Sequence, residues 1–202
     1  VATIIGALFA NVVDGFDVLA VAFTGSAIMA EWHLSPALLG TIFSAGLAGM
    51  MLGSLFIAPL ADRYGRRPVS LACMATMSLG MFAAAGAHTP VHLITARLLT
   101  GLGIGGVLAA LNTVVAEIAP PARRNTILAV FSAGYPLGSV LGGLLAIGLV
   151  SSMGWRVVFV GGGALTALAL LINAFTLPES AAPAARIRLF GGAFFRTLFG
   201  GE

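Results

Sequence analysis

Six apolar runs, separated by short polar or helix-breaking segments, organise this chain. They cover residues 3–29, 36–60, 68–87, 91–116, 126–150 and 156–177. A helix rises about 1.5 Å per residue, so each run can cross about 30 Å of hydrocarbon. The breaks are Glu31 to Pro36, Asp62 to Pro68, Gly86 to Pro90, Ala119 to Asn125 and Ser151 to Arg156, then Pro178 onward. The pattern predicts an all-α membrane protein with a bundle of six transmembrane helices over residues 1–180. Residues 181–202 read as a cytoplasmic linker or the start of a second half, with an interfacial amphipathic helix as the alternative. The chain opens on Val1 in apolar sequence without a basic region or cleavage site, which reads as a trimmed start without a signal peptide.

Composition fits that reading. Charged residues make up 8% of the 202 positions, against about 25% in a soluble domain. Mean hydropathy is +1.05. Glycine is abundant, at 27 residues, as suits membrane helices that pack through small residues. All ten basic residues are arginine. Arg63, Arg66, Arg67, Arg123, Arg124, Arg186, Arg188 and Arg196 fall in the second and fourth breaks and the tail, with Arg156 alone on the opposite side. The positive-inside rule then puts the N-terminus and tail in the cytoplasm. Arginines placed at span ends point to lipid headgroups and not to a nucleic acid. The single cysteine, Cys73, lies in an apolar run, so there is no disulfide framework.

The candidate chemistry lies inside the spans. Asp14 and Asp17 share one face of the first run. A charge at bilayer depth costs about 2.5–3.5 kcal/mol on insertion scales, and such groups mark ion pathways and proton relays. They sit about 16–21 Å from the cytoplasmic end of their helix, and Arg97 about 9 Å below the outer end of the fourth. Asp17 and Arg97 therefore lie at similar depth. They can pair or face each other across one cavity, lowering the net buried charge. The functional reading is a proton and anion site, with Arg97 offering its planar fork to a carboxylate ligand. A structural salt-bridge cluster is the alternative. Asn11 shares the aspartate face, and Tyr135 is an aromatic candidate for the ligand wall. Phe16 and Phe131 read first as packing residues.

A second charged cluster, Asp62-Arg63-Tyr64-Gly65-Arg66-Arg67, closes the second run. Gly65 relieves a tight turn, and the arginines hold the loop at the anionic inner leaflet. Glu117 ends the fourth run close to Arg123 and Arg124, which suggests a local ion pair at a cytoplasmic gate. His33, His88 and His92 have no cysteine or carboxylate cluster beside them, so no metal or other cofactor is expected. Gly101-x-Gly103-x-x-Gly106 mimics a nucleotide-binding pattern but lies within an apolar helix and not after a strand.

Asp62-Arg63-x-Gly65-Arg66-Arg67, with Ala58 where the pattern has its first glycine, resembles the loop signature of the major facilitator superfamily. Arg97-x-x-x-Gly101-x-Gly103-x-Gly105-Gly106 resembles its fourth-helix signature, and Pro178-Glu179-Ser180 the segment after its sixth helix. Asp14-Gly15-Phe16-Asp17 resembles the D-G-x-D motif of the aromatic acid:proton symporter branch. Gly134-Tyr135-Pro136-Leu137-Gly138 is only partly like the antiporter signature, and Pro136 reads more simply as a kink. The resemblance implies the N-terminal half of a twelve-helix carrier in a bacterial inner membrane, with the site between two six-helix halves. The missing half is then the rest of a longer chain or, second, another copy of this one. The implied activity is proton-coupled import of small aromatic carboxylates, benzoate or hydroxybenzoate in type. A proton on either acid would loosen its hold on Arg97 and free the arginine for the substrate. The runner-up is a carrier of the same superfamily for a sugar, another organic acid or a drug. A membrane enzyme would need a nucleophile–base or metal-ligand set at one membrane face, and the sequence offers none.

Overall fold

The computed structural model describes residues 2–178. The expected linker at 181–202, with Arg186, Arg188 and Arg196, lies outside the described residues, as do Glu179 and Ser180. The elements are helices: α1 (Ala2–Trp32), α2 (Pro36–Leu52), α3 (Ala58–Tyr64), α4 (Arg66–Ala85), α5 (Pro90–Ile118), α6 (Arg124–Met153) and α7 (Arg156–Thr176). A π-helical segment, Gly53–Ile57, joins α2 to α3, so Pro36–Tyr64 forms one span and the six expected spans are all present. The short turn Pro121–Arg123 leads into α6.

Local chemistry sets the helix ends. Ser35 caps α2, its Oγ accepting from the Leu38 amide at 3.3 Å, with Pro36 at the first helical position. Thr89 caps α5 in the same way, accepting from the His92 amide at 3.3 Å. Gly65 turns α3 into α4 at φ 101°, a conformation that penalises any side chain. Pro59 has no N–H to give the preceding turn, and the π-helical segment directly before it takes up the misfit. The hydropathy pattern carried no sign of that segment.

α1 packs mainly against α6 and α7, α5 against α2 and α4, and α4 against α7. α1 and α5 are the most enclosed, whereas α2 and α6 are the most exposed. Lipid offers no hydrophobic drive between helices, so close backbone approach does the work. A Cβ at Gly49 of α2 or at Gly53 of the π-helical segment would strike the α5 main chain, and one at Gly138 of α6 would strike Val12 of α1. Two apolar clusters fill the interior. One holds Val21, Ile28, Ile42, Leu93 and Phe159. The other holds Met74, Met77, Ile104, Leu111 and Phe131. The charged site lies along α1 where the clusters meet, with Phe16 in the first and Ala10 in the second.

Candidate functional site

Both aspartates lie on the enclosed side of α1, Asp14 at 2% and Asp17 at 0% exposure. Asp17 turns towards α7, where its Oδ2 accepts a hydrogen bond from Thr166 Oγ1 at 2.8 Å. Its Oδ1 is buried without a hydrogen bond among the described residues. Gly162 makes the space, since a Cβ there would sit 2.7 Å from that oxygen. Asp14 forms no hydrogen bond or ion pair among the described residues, and its Oδ2 is enclosed.

Arg97 reaches the same depth from α5 and is 3% exposed. Its guanidinium does not pair with the Asp17 carboxylate. Nη2 donates to the main-chain carbonyl of Asp17 at 2.8 Å, and Nη1 to Met81 Sδ at 3.3 Å. The guanidinium carbon stands 5.8 Å from the centre of the Phe159 ring. The depth arithmetic thus brings the right residues together, but through the α1 backbone. The expected carboxylate–guanidinium pair is replaced by a bond to the Asp17 carbonyl, with the two charges close enough to act on each other.

A cavity of about 150 Å³ opens beside Arg97, between α1, α2 and α5. Its walls are apolar apart from Arg97 and include Val18, Leu19, Phe43, Leu47, Met50 and Ile104. A Cβ at Gly46 would sit 3.8 Å from Arg97 Nε and Nη2, so the glycine keeps that side of the guanidinium open. The arrangement suits a compact ligand with an apolar body and one anionic head.

Asn11 is buried and donates from Nδ2 to the Phe131 carbonyl of α6, while its Oδ1 has no partner among the described residues. Tyr135 is half-buried. Ser139 Oγ lies 2.9 Å from the Gly15 carbonyl, to which it donates, and 3.1 Å from the Tyr135 carbonyl of its own helix. A Cβ at Gly15 would strike the Tyr135 carbonyl, so the glycine between the two acids lets α1 and α6 touch. Phe16 lies against Gly142 and Gly162, and Phe131 is enclosed in the second apolar cluster, so both serve packing.

At the end bearing α3, Arg66 is buried and joins two acids. It pairs with Glu117 of α5 and, at 3.4 Å, with Asp62. This corrects the local pairing expected for Glu117: its partner is Arg66, and Arg123 makes no ion pair among the described residues. Arg67 donates to the Ala174 carbonyl at 2.8 Å and so ties α4 to α7. Arg63 stands 5.5 Å from the Tyr64 ring.

Three features escaped the sequence reading. Thr166 was one apolar-span threonine among several, and Met81 one methionine among seven. At the far end Glu31 accepts from Trp155 Nε1 at 2.7 Å and pairs with Arg156 at 2.8 Å, stapling α1 to the start of α7. Spacing across 124 residues gives no signal for such a contact.

Fold and site together define an integral membrane bundle with a buried acid pair and a buried cation beside a cavity. The chain belongs to the Major Facilitator Superfamily, whose family model matches residues 7–199. It is 38% identical over 168 residues to a gallate transporter of Pseudomonas putida, covering 83% of this chain and 37% of that protein. A 4-hydroxybenzoate transporter of Pseudomonas aeruginosa is 34% identical over 168 residues, covering 83% of this chain and 38% of that protein. This chain therefore spans less than two fifths of the length of these relatives. Among solved structures, the inward-open xylose transporter of E. coli aligns with TM-score 0.74 at 20% identity, over 98% of this chain and 52% of that one. A bacterial homologue of the human lysosomal transporter Spinster gives 0.77 at 21% identity, over 94% and 48%.

Proposed function

We propose that this chain is the N-terminal half of a proton-coupled importer of small aromatic carboxylates, benzoate or hydroxybenzoate in type. The observation that carries the reading is the cavity at Arg97, apolar except for one guanidinium. An aromatic acid matches both parts, its ring against Phe43 and Leu47 and its carboxylate on the guanidinium fork. A sugar would bring several hydroxyls to a wall with one polar side chain, and unpaired buried polar groups cost affinity. The relatives named for gallate and 4-hydroxybenzoate support the same substrate class. Membership of a transporter superfamily, and not of an enzyme family, supports carriage without chemical conversion.

In this reading Asp17 carries the coupled proton and Arg97 receives the substrate, with Asp14 and Asn11 completing the polar face of α1 and Tyr135 flanking it. Asp62, Arg63, Gly65, Arg66, Arg67, Glu117 and Arg123 form the cytoplasmic gate region. The N-terminus faces the cytoplasm of a bacterial inner membrane, and a second six-helix half closes the cavity. The test uses cells carrying the full-length carrier and labelled 4-hydroxybenzoate. Uptake will require an inward proton gradient and will collapse with an uncoupler. Asp17→Asn will abolish uptake while the protein remains in the membrane. Uncoupler-insensitive uptake would refute the proton coupling, and uptake of sugars but not of aromatic acids would refute the substrate class.

A further inference from the structure

Thr166 cannot be doing everything its geometry allows at once. Its Oγ1 lies 2.8 Å from Asp17 Oδ2 and also 2.8 Å from the Gly162 carbonyl of its own helix. Both are acceptors, and a hydroxyl has one proton to donate. With Asp17 ionised, that proton belongs on the carboxylate, where a charge-assisted bond is the stronger one. With Asp17 protonated, the carboxyl O–H can donate to Thr166 Oγ1, and the threonine proton turns back to Gly162. Gly162 loses nothing in either state, because its carbonyl also accepts the Thr166 amide within the helix.

We infer that Thr166 is the positioning residue that keeps Asp17 hydrogen-bonded in both protonation states, so that proton loading and release take place without moving α1 or α7. The inference rests on the proton-coupled reading above. The surroundings single Thr166 out. Gly162 gives Asp17 space but no side-chain donor. From α5, Arg97 spends its bond on the Asp17 carbonyl and not on the carboxylate. Met81 of α4 comes to the same point beside Gly162 as the carboxylate, and on α1 itself Asp14 lies three residues before Asp17. None of these forms a hydrogen bond to the Asp17 carboxylate among the described residues.

The experiment compares Thr166→Val and Thr166→Ser in the full-length carrier, in proteoliposomes. Net uptake driven by a proton gradient requires Asp17 to give up its proton in each cycle. Exchange of labelled for unlabelled 4-hydroxybenzoate does not, because the loaded carrier can return with its proton. Thr166→Val keeps the shape and removes the donor, so net uptake will fall about tenfold while exchange stays within about twofold of wild type. Thr166→Ser keeps the hydroxyl and will restore net uptake. Equal loss of both activities in Thr166→Val would mark a merely structural residue and overturn the inference, as would two unchanged activities. If wild-type uptake itself ignores the proton gradient, the proton-coupled reading has failed, a result distinguishable from either.

Discussion

Gly15 stands between the two acids, and replacing it by alanine probes the packing that positions them. The nearest atoms to an added Cβ are the carbonyl oxygen, carbonyl carbon and Cα of Tyr135. All three are backbone, so no side chain can rotate away, and α1 and α6 must separate. Overpacking costs typically about 1–3 kcal/mol, and a backbone-on-backbone clash belongs near the top of that range. Separation also stretches the Ser139 hydroxyl bond to the Gly15 carbonyl, 2.9 Å long, which contributes about 0.5–1.5 kcal/mol. A total near 3 kcal/mol lowers Tm by up to about 6 °C in a carrier of the relatives' length, because the shift falls to about 2 °C per kcal/mol or less as size exceeds about 250 residues. The assay is thermal unfolding of the detergent-purified carrier, with Gly148→Ala and Gly161→Ala as controls, because a Cβ at either meets nothing within 4 Å. Those controls will unfold within about 2 °C of wild type. A Gly15→Ala protein that unfolds with the controls would refute the tight α1–α6 contact and the account of the glycine between Asp14 and Asp17.

The other expectations concern charge. Arg97→Lys keeps the cation but loses the planar fork that reaches Asp17 and Met81, so 4-hydroxybenzoate affinity will fall at least tenfold, checked by equilibrium binding; unchanged affinity would mean that charge alone suffices. The Arg66–Glu117 pair will show a coupling of about 0.5–1 kcal/mol in a double-mutant cycle read by unfolding, discounted because Glu117 is half exposed. Zero coupling would make the contact incidental. Glu31→Ala removes the acceptor for Trp155 Nε1 and the partner of Arg156, and will lower stability by about 1–2 kcal/mol. Arg156→Gln will cost less than Glu31→Ala, because the tryptophan bond survives; the reverse order would relocate the staple to the arginine.

The six spans were legible because lipid demands long apolar helices, and hydropathy records that demand directly. The helix ends at Ser35-Pro36 and Thr89-Pro90 were legible as breaks, because capping side chains and prolines act locally. The π-helical segment before Pro59 was not, because its cause is the accommodation of one proline inside an otherwise continuous apolar run. For the site, depth arithmetic brought Asp17 and Arg97 to one level, since rise per residue is fixed. It could not tell the carboxylate of Asp17 from its carbonyl, a choice made by helix rotation and packing. Glu117 shows the same limit: sequence proximity favoured Arg123 and Arg124, whereas the α4–α5 packing delivered Arg66. Thr166 stayed hidden because a hydroxyl in an apolar helix ordinarily satisfies itself on the preceding turn, as Thr113 does on Ala109.

Anchoring Arg97 on a main-chain carbonyl changes what coupling requires. In a carboxylate–guanidinium pair, protonating the acid would free the cation, and proton and substrate would compete through one bond. Here the guanidinium is held by a carbonyl, which does not titrate, so Asp17 and Arg97 act on each other through charge across space and not through a shared bond. Their second link is α1 itself, which carries Asp17's side chain towards α7 and its carbonyl towards α5. The glycines at 15 and 162 fit that arrangement, since they let the α6 backbone approach α1 and let α7 approach the Asp17 carboxylate with no side chain between. The carboxyl group and the carbonyl that holds the cation thus belong to one residue, Asp17, while the cation itself comes from another helix. Under the proposed carrier reading, Arg97 is then available to an anionic substrate in both protonation states of Asp17.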